Sequence, residues 1–302
     1  MTRDLNDTLV FVHVVQAGSF TAAANALQIP KTTVSRRVRE LETHLGTALL
    51  HRTTRKLRLT EAGTAYFERC TAIATQLDDA ENAVQRIRGT PGGWLRVTLP
   101  YSFGATWIAP LIAGFCARYP EVRVDIVASH VPLDLISENV DVALRLGVLS
   151  DSSLVAQRLG SFSTSIYASP AYIEKHGAPG SPNDLHRHPA LALHQARTDS
   201  GYTWPLRTAG RKPRHFPLDP VIVASDPVLL LDAARAGNGV LLAMDASMTS
   251  ELEAGRLCKV LPGWIGPQQD LNALFPKERE PSQKVRAFVR YLRSQLRFTR
   301  AT

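Results

Sequence analysis

Thr32, Ser35, Arg36 and Arg39 recur at three- and four-residue steps, the spacing that puts side chains on one face of a helix. Arginine donates two parallel bonds to a guanine edge, and serine or threonine meets base edges or phosphates, so this set has the chemistry to read the major groove. Lys31 and Thr33 flank it at the start of the helix. The surrounding stretch is strongly basic. Between residues 31 and 58, Lys31, Arg36, Arg37, Arg39, Arg52, Arg55, Lys56 and Arg58 face only Glu40 and Glu42, a net +6 in a chain whose total is +8. A solvated charged helix face is the bland alternative. The order of neighbouring elements weighs against it.

Those elements are legible from apolar spacing. Leu5, Leu9, Val12 and Val15 predict a first helix, which Gly18 ends. Ser19 is placed to cap a second, Ala-rich helix with Phe20, Ala23, Ala24 and Leu27 inward, broken at Gln28, Ile29 and Pro30. A third opens at Thr32 or Thr33, turns Val34, Val38, Leu41 and Leu45 inward and stops at Gly46. Leu57 and Leu59 then alternate inward in a basic hairpin from His51 to Leu59, placing Arg52, Thr53 and Arg55 against phosphate as a wing. Thr60 caps a long helix running to about Arg88. Its residues Tyr66, Cys70, Ile73, Leu77, Ala80, Val84 and Ile87 alternate steps of four and three, the coiled-coil period. At ~1.5 Å per residue that helix extends about 42 Å, more than a small DNA-binding unit uses, so a homodimer seam is expected. Packing on the chain's own C-terminal part is the alternative.

The run Val34-Ser35-x-x-Val38-x-x-Leu41-Glu42-x-x-Leu45-Gly46, with Arg52-Thr53-Thr54-Arg55 and Leu59-Thr60-Glu61-Ala62-Gly63 after it, resembles the LysR-type transcriptional regulators over residues 5 to 63. Where many members carry Gln-Pro-Ala before Val-Ser, this chain has Lys31-Thr32-Thr33. The resemblance implies double-stranded promoter DNA with a pseudo-palindromic site, two periplasmic-binding-like lobes holding a small-molecule effector, and homotetramers built as dimers of dimers.

Beyond a Thr90-Pro91-Gly92-Gly93 hinge the pattern changes to alternating strands and helices. Strands are expected at Leu95 to Leu99, Val122 to Ile126, Val142 to Leu146, Ser163 to Ala168, Leu191 to Leu193, Val221 to Ala224, Val240 to Leu242 and Leu271 to Phe275, with a helix from Gly104 to Arg118. This is an α/β class with open parallel sheets. The expected organisation is an all-α winged helix-turn-helix over 1–60, a linker helix over 61–89 and an effector and oligomerisation part over 90–302. The last divides into lobe I, about 94–162 and 268–302, and lobe II, about 163–267. Ligands of open sheets sit beyond the carboxyl ends of strands. That rule selects Thr98, Pro100, Tyr101 and Ser102 after the first strand, Arg145 and Gly147 after another, and Ser225 and Asp226 after a third. Tyr202 is a further lining residue, with Trp204 beside it as lining or core. Arg145 suits a carboxylate, held bidentately, or an ion pair with Asp125 or Asp141.

Composition bounds the rest. With 44% hydrophobic and 21% charged residues, and no apolar run near the ~20 a membrane helix needs, no membrane role is expected. The start Met1-Thr2-Arg3-Asp4 is unlike an export signal, so the cytoplasm is the expected compartment. Cys70, Cys116 and Cys258 are scattered and suit neither a disulfide framework nor a thiolate metal site. Gly237-Asn238-Gly239 lacks a third glycine, no nucleophile elbow or phosphate loop occurs, and His186, His188 and His194 lie in a Pro-rich loop. No catalytic residue, metal or cofactor is therefore expected. Residues 277 to 300 are also net +6, read as the solvated face of an amphipathic helix built on Val285, Phe288, Val289, Leu292 and Leu296. Two competing classes remain: a solute-binding protein whose basic unit serves assembly, and an α/β enzyme.

Overall fold

A computed structural model describes residues 4–51, 57–129, 135–136, 138–147, 149, 154–277, 280–296 and 298. The N-terminal unit consists of α1 (Leu5–Gln16), α2 (Phe20–Leu27), α3 (Lys31–Leu45), β1 (Leu50–His51), β2 (Arg58–Leu59) and α4 (Glu61–Arg88). Local chemistry sets its corners. Ser19 Oγ accepts from the Thr21 and Ala22 amides, Gln28 takes a left-handed turn at φ 54°, and Gly46 ends α3 at φ 67°. Helix α3 starts at Lys31, directly after Pro30, slightly earlier than its threonines suggest.

Helix α1 departs from its expected stripe. It buries Thr8, Val10, Phe11, Val12 and Val14, while Leu5 is 44% exposed. The cause is α4: Thr8 shares a 3.0 Å hydrogen bond with the Tyr66 hydroxyl, and the Phe11 ring meets Tyr66 and Phe67. An aliphatic-only stripe omits the threonine and phenylalanine that turn the helix. Val34, Val38 and Leu41 of α3 are buried in the same core.

Two acidic side chains tie this unit together. Asp7 meets Arg37 of α3 at 3.3 Å, and burial with the neighbouring Asp4 raises the Asp7 carboxyl above its ordinary value. Buried Glu42 accepts from the Leu49 and Leu50 amides at 2.9 and 3.2 Å, fixing the entry to β1. Strand β1 pairs antiparallel with β2, Leu50 opposite Leu59. Thr60 Oγ1 then donates to Ala48 O and accepts from the Gly63 amide, capping α4. At Gly63 the close approach demands glycine, because a Cβ would lie 2.0 Å from Leu49 O.

The C-terminal unit runs β3 (Gly93–Leu99), α5 (Tyr101–Phe103), a π-helical turn (Gly104–Ile108), α6 (Ala109–Arg118), β4 (Val122–Ala128), β5 (Val142–Leu146), β6 (Leu154–Phe162) and β7 (Thr164–Ala168). Next come α7 (Pro170–His176), β8 (Pro189–Leu193), β9 (Arg197–Thr198), β10 (Gly201–Leu206), β11 (Arg214–Pro217), β12 (Asp219–Ala224) and α8 (Pro227–Arg235). It closes with β13 (Val240–Met244), α9 (Thr249–Glu253), β14 (Cys258–Val260), β15 (Gln269–Pro276) and α10 (Gln283–Gln295).

Two five-stranded sheets result, ordered β4-β3-β5-β15-β6 and β12-β8-β13-β7-β14. They are mixed, which corrects the parallel expectation. β3 pairs parallel with β4 and β5, but β15 is antiparallel to β5 and β6; β8 pairs parallel with β12 and β13, but β7 is antiparallel to β13 and β14. A parallel neighbour needs a helical crossover. β6 passes straight into β7 through Ser163 alone, and β15 returns from the second sheet to the first without one. Around the first sheet, Phe115 of α6 meets Phe288 of α10 at 5.1 Å within the core formed by Leu95, Val97, Leu144 and Leu271. The inward face of α10 is the expected one. Trp204, 3% exposed, packs with Leu206 and Phe216 under the second sheet and is core.

Candidate nucleic-acid interface and ligand site

On α3, Lys31, Thr32, Ser35, Arg36, Arg39, Glu40 and Thr43 line one open concavity of about 410 Å³. On the opposite face Val34, Val38 and Leu41 are held in the core. Thr33 is half-buried at its edge. Arg36 forms a 2.7 Å ion pair with Glu40 one turn on, a contact worth about 0.3–0.5 kcal/mol and readily exchanged for a phosphate or base. Arg39 has no carboxylate partner among the described residues, so its guanidinium is free to act. Arg37, by contrast, belongs to the scaffold. Arg52, Thr53 and Arg55 lie outside the described residues, although the β1–β2 pairing on either side of them is seen.

The expected α4 seam divides. Cys70 turns into the N-terminal core at 1% exposure, and half-buried Tyr66 packs against the same core and bonds to Thr8 within the chain. Ile73, Leu77 and Ala80 are exposed, the first two at 38% and 43%. The side chains of Val84 and Ile87 lie outside the described set.

In the C-terminal unit, Thr98 and Arg145 stand together at the carboxyl ends of β3 and β5. Arg145 donates to Thr98 Oγ1 at 3.4 Å and to Leu144 O at 3.0 Å. Neither Asp125 nor Asp141 pairs with it. Asp125 is taken by Arg96 at 3.5 Å, and among the described residues no carboxylate lies within ion-pair distance of Arg145. Burial alone lowers its pKa, so this cation is desolvated without an anion. Asn272, buried directly across from Arg145 in β15, adds an amide that the sequence reading missed. A lone polar residue inside the apolar run Leu271–Phe275 was the available signal.

Buried Ser102 and half-buried Pro100 and Gly147 sit at these same strand ends, Gly147 at φ 84° with its amide on Asp270 O. Tyr101 is 64% exposed. Asp226 serves chiefly as the cap of α8, accepting from the Val228 amide at 2.8 Å, with Ser225 exposed beside it. Tyr202 pairs with Arg197 in the separate sheet β11-β10-β9 and shares no hydrogen bond or ring contact with the Arg145 group among the described residues. Another polar knot sits where β6 crosses to β7. Asp245 accepts from Ser163 Oγ at 2.6 Å and from the Tyr167 hydroxyl at 2.7 Å. Burial works against the charge on Asp245, but these hydroxyls, Ser165 and Lys259 outweigh it and hold the carboxyl below its usual range. Burial and Asp245 together push the Tyr167 hydroxyl up.

His188 Nδ1 is bonded to the Tyr172 hydroxyl at 2.8 Å, and no group of three or more His, Cys, Asp or Glu with metal-binding geometry occurs among the described residues. No described helix is long and apolar enough to cross a membrane.

A basic helix-turn-helix followed by a long helix and a two-sheet α/β unit, with an arginine at its strand ends that has no carboxylate partner among the described residues, has the layout of a DNA-binding regulator with a ligand-binding part. Residues 5–64 match the family of bacterial regulatory helix-turn-helix proteins of the lysR type, and residues 88–297 match the LysR substrate binding domain. The chain belongs to the LysR family of transcriptional regulators. It is 51% identical over 300 residues to an HTH-type transcriptional regulator of Xanthomonas campestris pv. campestris, covering 99% of this chain and 87% of that one. It is 33% identical to the regulator CrgA of Neisseria meningitidis, over 98% of each chain. The solved CrgA structure superposes with a TM-score of 0.60 at 32% identity, covering 98% of this chain and 99% of that one. A full-length variant of AphB gives 0.71 at 27% identity, covering 97% and 99%. Members of this family bind DNA and small-molecule effectors and form oligomers.

Proposed function

We propose that the protein works as a homodimer, or a tetramer made of two, that grips promoter DNA with paired α3 helices and responds to a small carboxylate at Arg145. The free face of α3 carries the reading: its apolar side is fixed in the core, so Thr32, Ser35, Arg36 and Arg39 have one direction left to face. Arg36 and Arg39 take base edges, Thr32 and Ser35 supply hydroxyls, and Lys31 and Thr33 set the approach of the helix start. Arg52, Thr53 and Arg55 hold phosphate. Ile73, Leu77 and Ala80 form the exposed part of the pairing seam, continued in sequence by Val84 and Ile87. The ligand's carboxylate replaces the anion that Arg145 lacks, with Thr98, Ser102 and Asn272 as neighbouring donors.

Fluorescence anisotropy on a promoter duplex and on random DNA across a salt series tests the reading. Arg55→Ala weakens both and flattens the salt slope by roughly 0.9, one phosphate contact. Arg36→Ala narrows the gap between specific and random DNA instead. Equal losses for both variants on both duplexes would refute the division of labour.

A further inference from the structure

A second basic hairpin stands outside the site just described. From His186 to Phe216 the chain holds six Lys or Arg against the single acidic Asp199, a net +5 with four histidines besides. Subtracting this and the two +6 segments from the total of +8 leaves the rest of the chain at −9, so the positive charge is concentrated rather than diffuse. Arg211, Lys212 and Arg214 are exposed at the turn joining β10 to β11, where Gly210 takes φ 71°. None of Arg187, Arg197, Arg207, Arg211, Lys212 and Arg214 has a carboxylate within ion-pair distance among the described residues. Arg214 lies over the Phe216 ring at 5.4 Å, and Phe216 is anchored in the core beside Trp204. The turn is thus carried on a rigid base.

The sequence of this turn repeats that of the wing. After β1 the chain reads Arg52-Thr53-Thr54-Arg55-Lys56-Leu57-Arg58, with Arg58 the first residue of β2. After β10 it reads Arg207-Thr208-Ala209-Gly210-Arg211-Lys212-Pro213-Arg214, with Arg214 the first residue of β11. Both are antiparallel hairpins opening on Arg-Thr and closing on Arg-Lys-x-Arg. Unpaired guanidiniums on a hairpin tip, flanked by a threonine hydroxyl, suit a line of phosphate oxygens and need no base sequence.

We propose that the β10–β11 hairpin is a second phosphate-gripping wing that holds double-stranded DNA independently of sequence. An acidic protein surface would also attract such a patch. The shared Arg-Thr opening and Arg-Lys-x-Arg closing favour nucleic acid, because the same residue pattern occurs in the helix-turn-helix unit, where under the proposed function it is assigned to phosphate.

The test uses the full chain in an Arg39→Ala background, which reduces the α3 contribution, with a random-sequence duplex of about 60 base pairs as probe. Replacing Arg211, Lys212 and Arg214 together by Ala should flatten the slope of log affinity against log salt by up to about 2.7, roughly 0.9 per phosphate. Arg211→Lys with Arg214→Lys should keep the slope, and the melting temperature should fall only slightly in the triple-alanine variant, because the replaced groups are exposed, have no carboxylate partner among the described residues, and only Arg214 has a ring contact, to Phe216. A wild-type slope in the triple-alanine variant overturns the proposal. So does a slope change that accompanies a change in sedimentation, which would assign the patch to contact between copies. Loss of polyglutamate binding with DNA binding intact would also overturn it, in favour of an acidic protein partner.

Discussion

Removing the Glu42 carboxylate should unfasten the wing without touching any group that meets DNA. The carboxylate is buried and accepts from two consecutive amides, Leu49 at 2.9 Å and Leu50 at 3.2 Å, on the residues that lead into β1. Hydrogen bonds to a charged group contribute about 1.5–3 kcal/mol each, and a buried amide left without a partner costs about 1–3 kcal/mol. The two bonds share one acceptor and do not add fully, so Glu42→Ala is expected to cost about 3 kcal/mol. Glu42→Gln keeps an acceptor oxygen and loses only the charge, about 1 kcal/mol. Amide hydrogen exchange at Leu49 and Leu50 reads this directly. At about 1.4 kcal/mol per tenfold, protection should fall about 150-fold in the alanine variant and about 5-fold in the glutamine variant. DNA affinity should fall in the same order, since β1 aligns the strand that precedes Arg52. Arg39→Ala should lower DNA affinity with protection at both amides unchanged. If the glutamine variant is as damaged as the alanine one, or the alanine variant loses less than about threefold, Glu42 is not the fastening.

Leu77→Glu should shift sedimentation toward the monomer, while Tyr66→Phe, losing the Thr8 bond worth about 1 kcal/mol, should lower stability and leave the assembly intact; a dimeric Leu77→Glu protein would remove α4 as the seam. Arg145→Met should leave the melting temperature of the ligand-free protein unchanged or higher, because the native arginine is desolvated without an anion. Excess succinate should raise the melting temperature of the wild type alone, and a drop of more than about 2 °C in the ligand-free variant would reveal a carboxylate partner. Glu251 is held far below the usual carboxylate range by Arg256 and Arg235, at 2.7 and 2.6 Å, against the opposing effect of burial. Its stabilisation is therefore full above the unfolded value near ~4.3 and is lost as pH falls through the lower folded value. Glu251→Gln should be less stable at neutral pH and show a flatter acid limb in melting temperature against pH. A limb as steep as that of the wild type would assign the acid transition elsewhere.

Apolar spacing was sufficient for α2, α3 and most strands of the C-terminal unit because those segments each bury one face against one neighbour. It failed where a residue serves two neighbours. The four-three rhythm of α4 is continuous from Tyr66 onward, but its first two positions pack against the N-terminal core and the next, Ile73 and Leu77, are exposed, a split that periodicity cannot register. Strand β6 was missed because it is an edge strand, with Val155, Ala156, Gln157 and Arg158 all exposed. Strand direction was missed because no local pattern encodes it; the mixed sheets follow from the direct passage of β6 into β7 at Ser163. Asp226 was legible as a cap, since aspartate before Pro227 is a helix-start signal.

Net charge overstates the cations that stand free on this unit. Of the eight cations between residues 31 and 58, Arg37 is committed to Asp7 and Asp4, and Arg36 is held by Glu40. Glu42, counted as an opposing charge, is buried and accepts from the Leu49 and Leu50 amides rather than being displayed at the surface. Among the described cations of this stretch, Lys31, Arg39 and Arg58 are left without a carboxylate partner, and on the proposed reading Arg36 joins them when it exchanges Glu40 for DNA. That exchange makes Glu40 a control on affinity. Glu40→Ala removes the competitor and a repulsive charge from the reading face, at a helix cost of about 0.3–0.5 kcal/mol. Affinity for random and specific duplexes should rise several-fold in the variant, most at low salt, when followed by anisotropy. A fall in affinity would mean that Glu40 orients Arg36 for reading instead of restraining it.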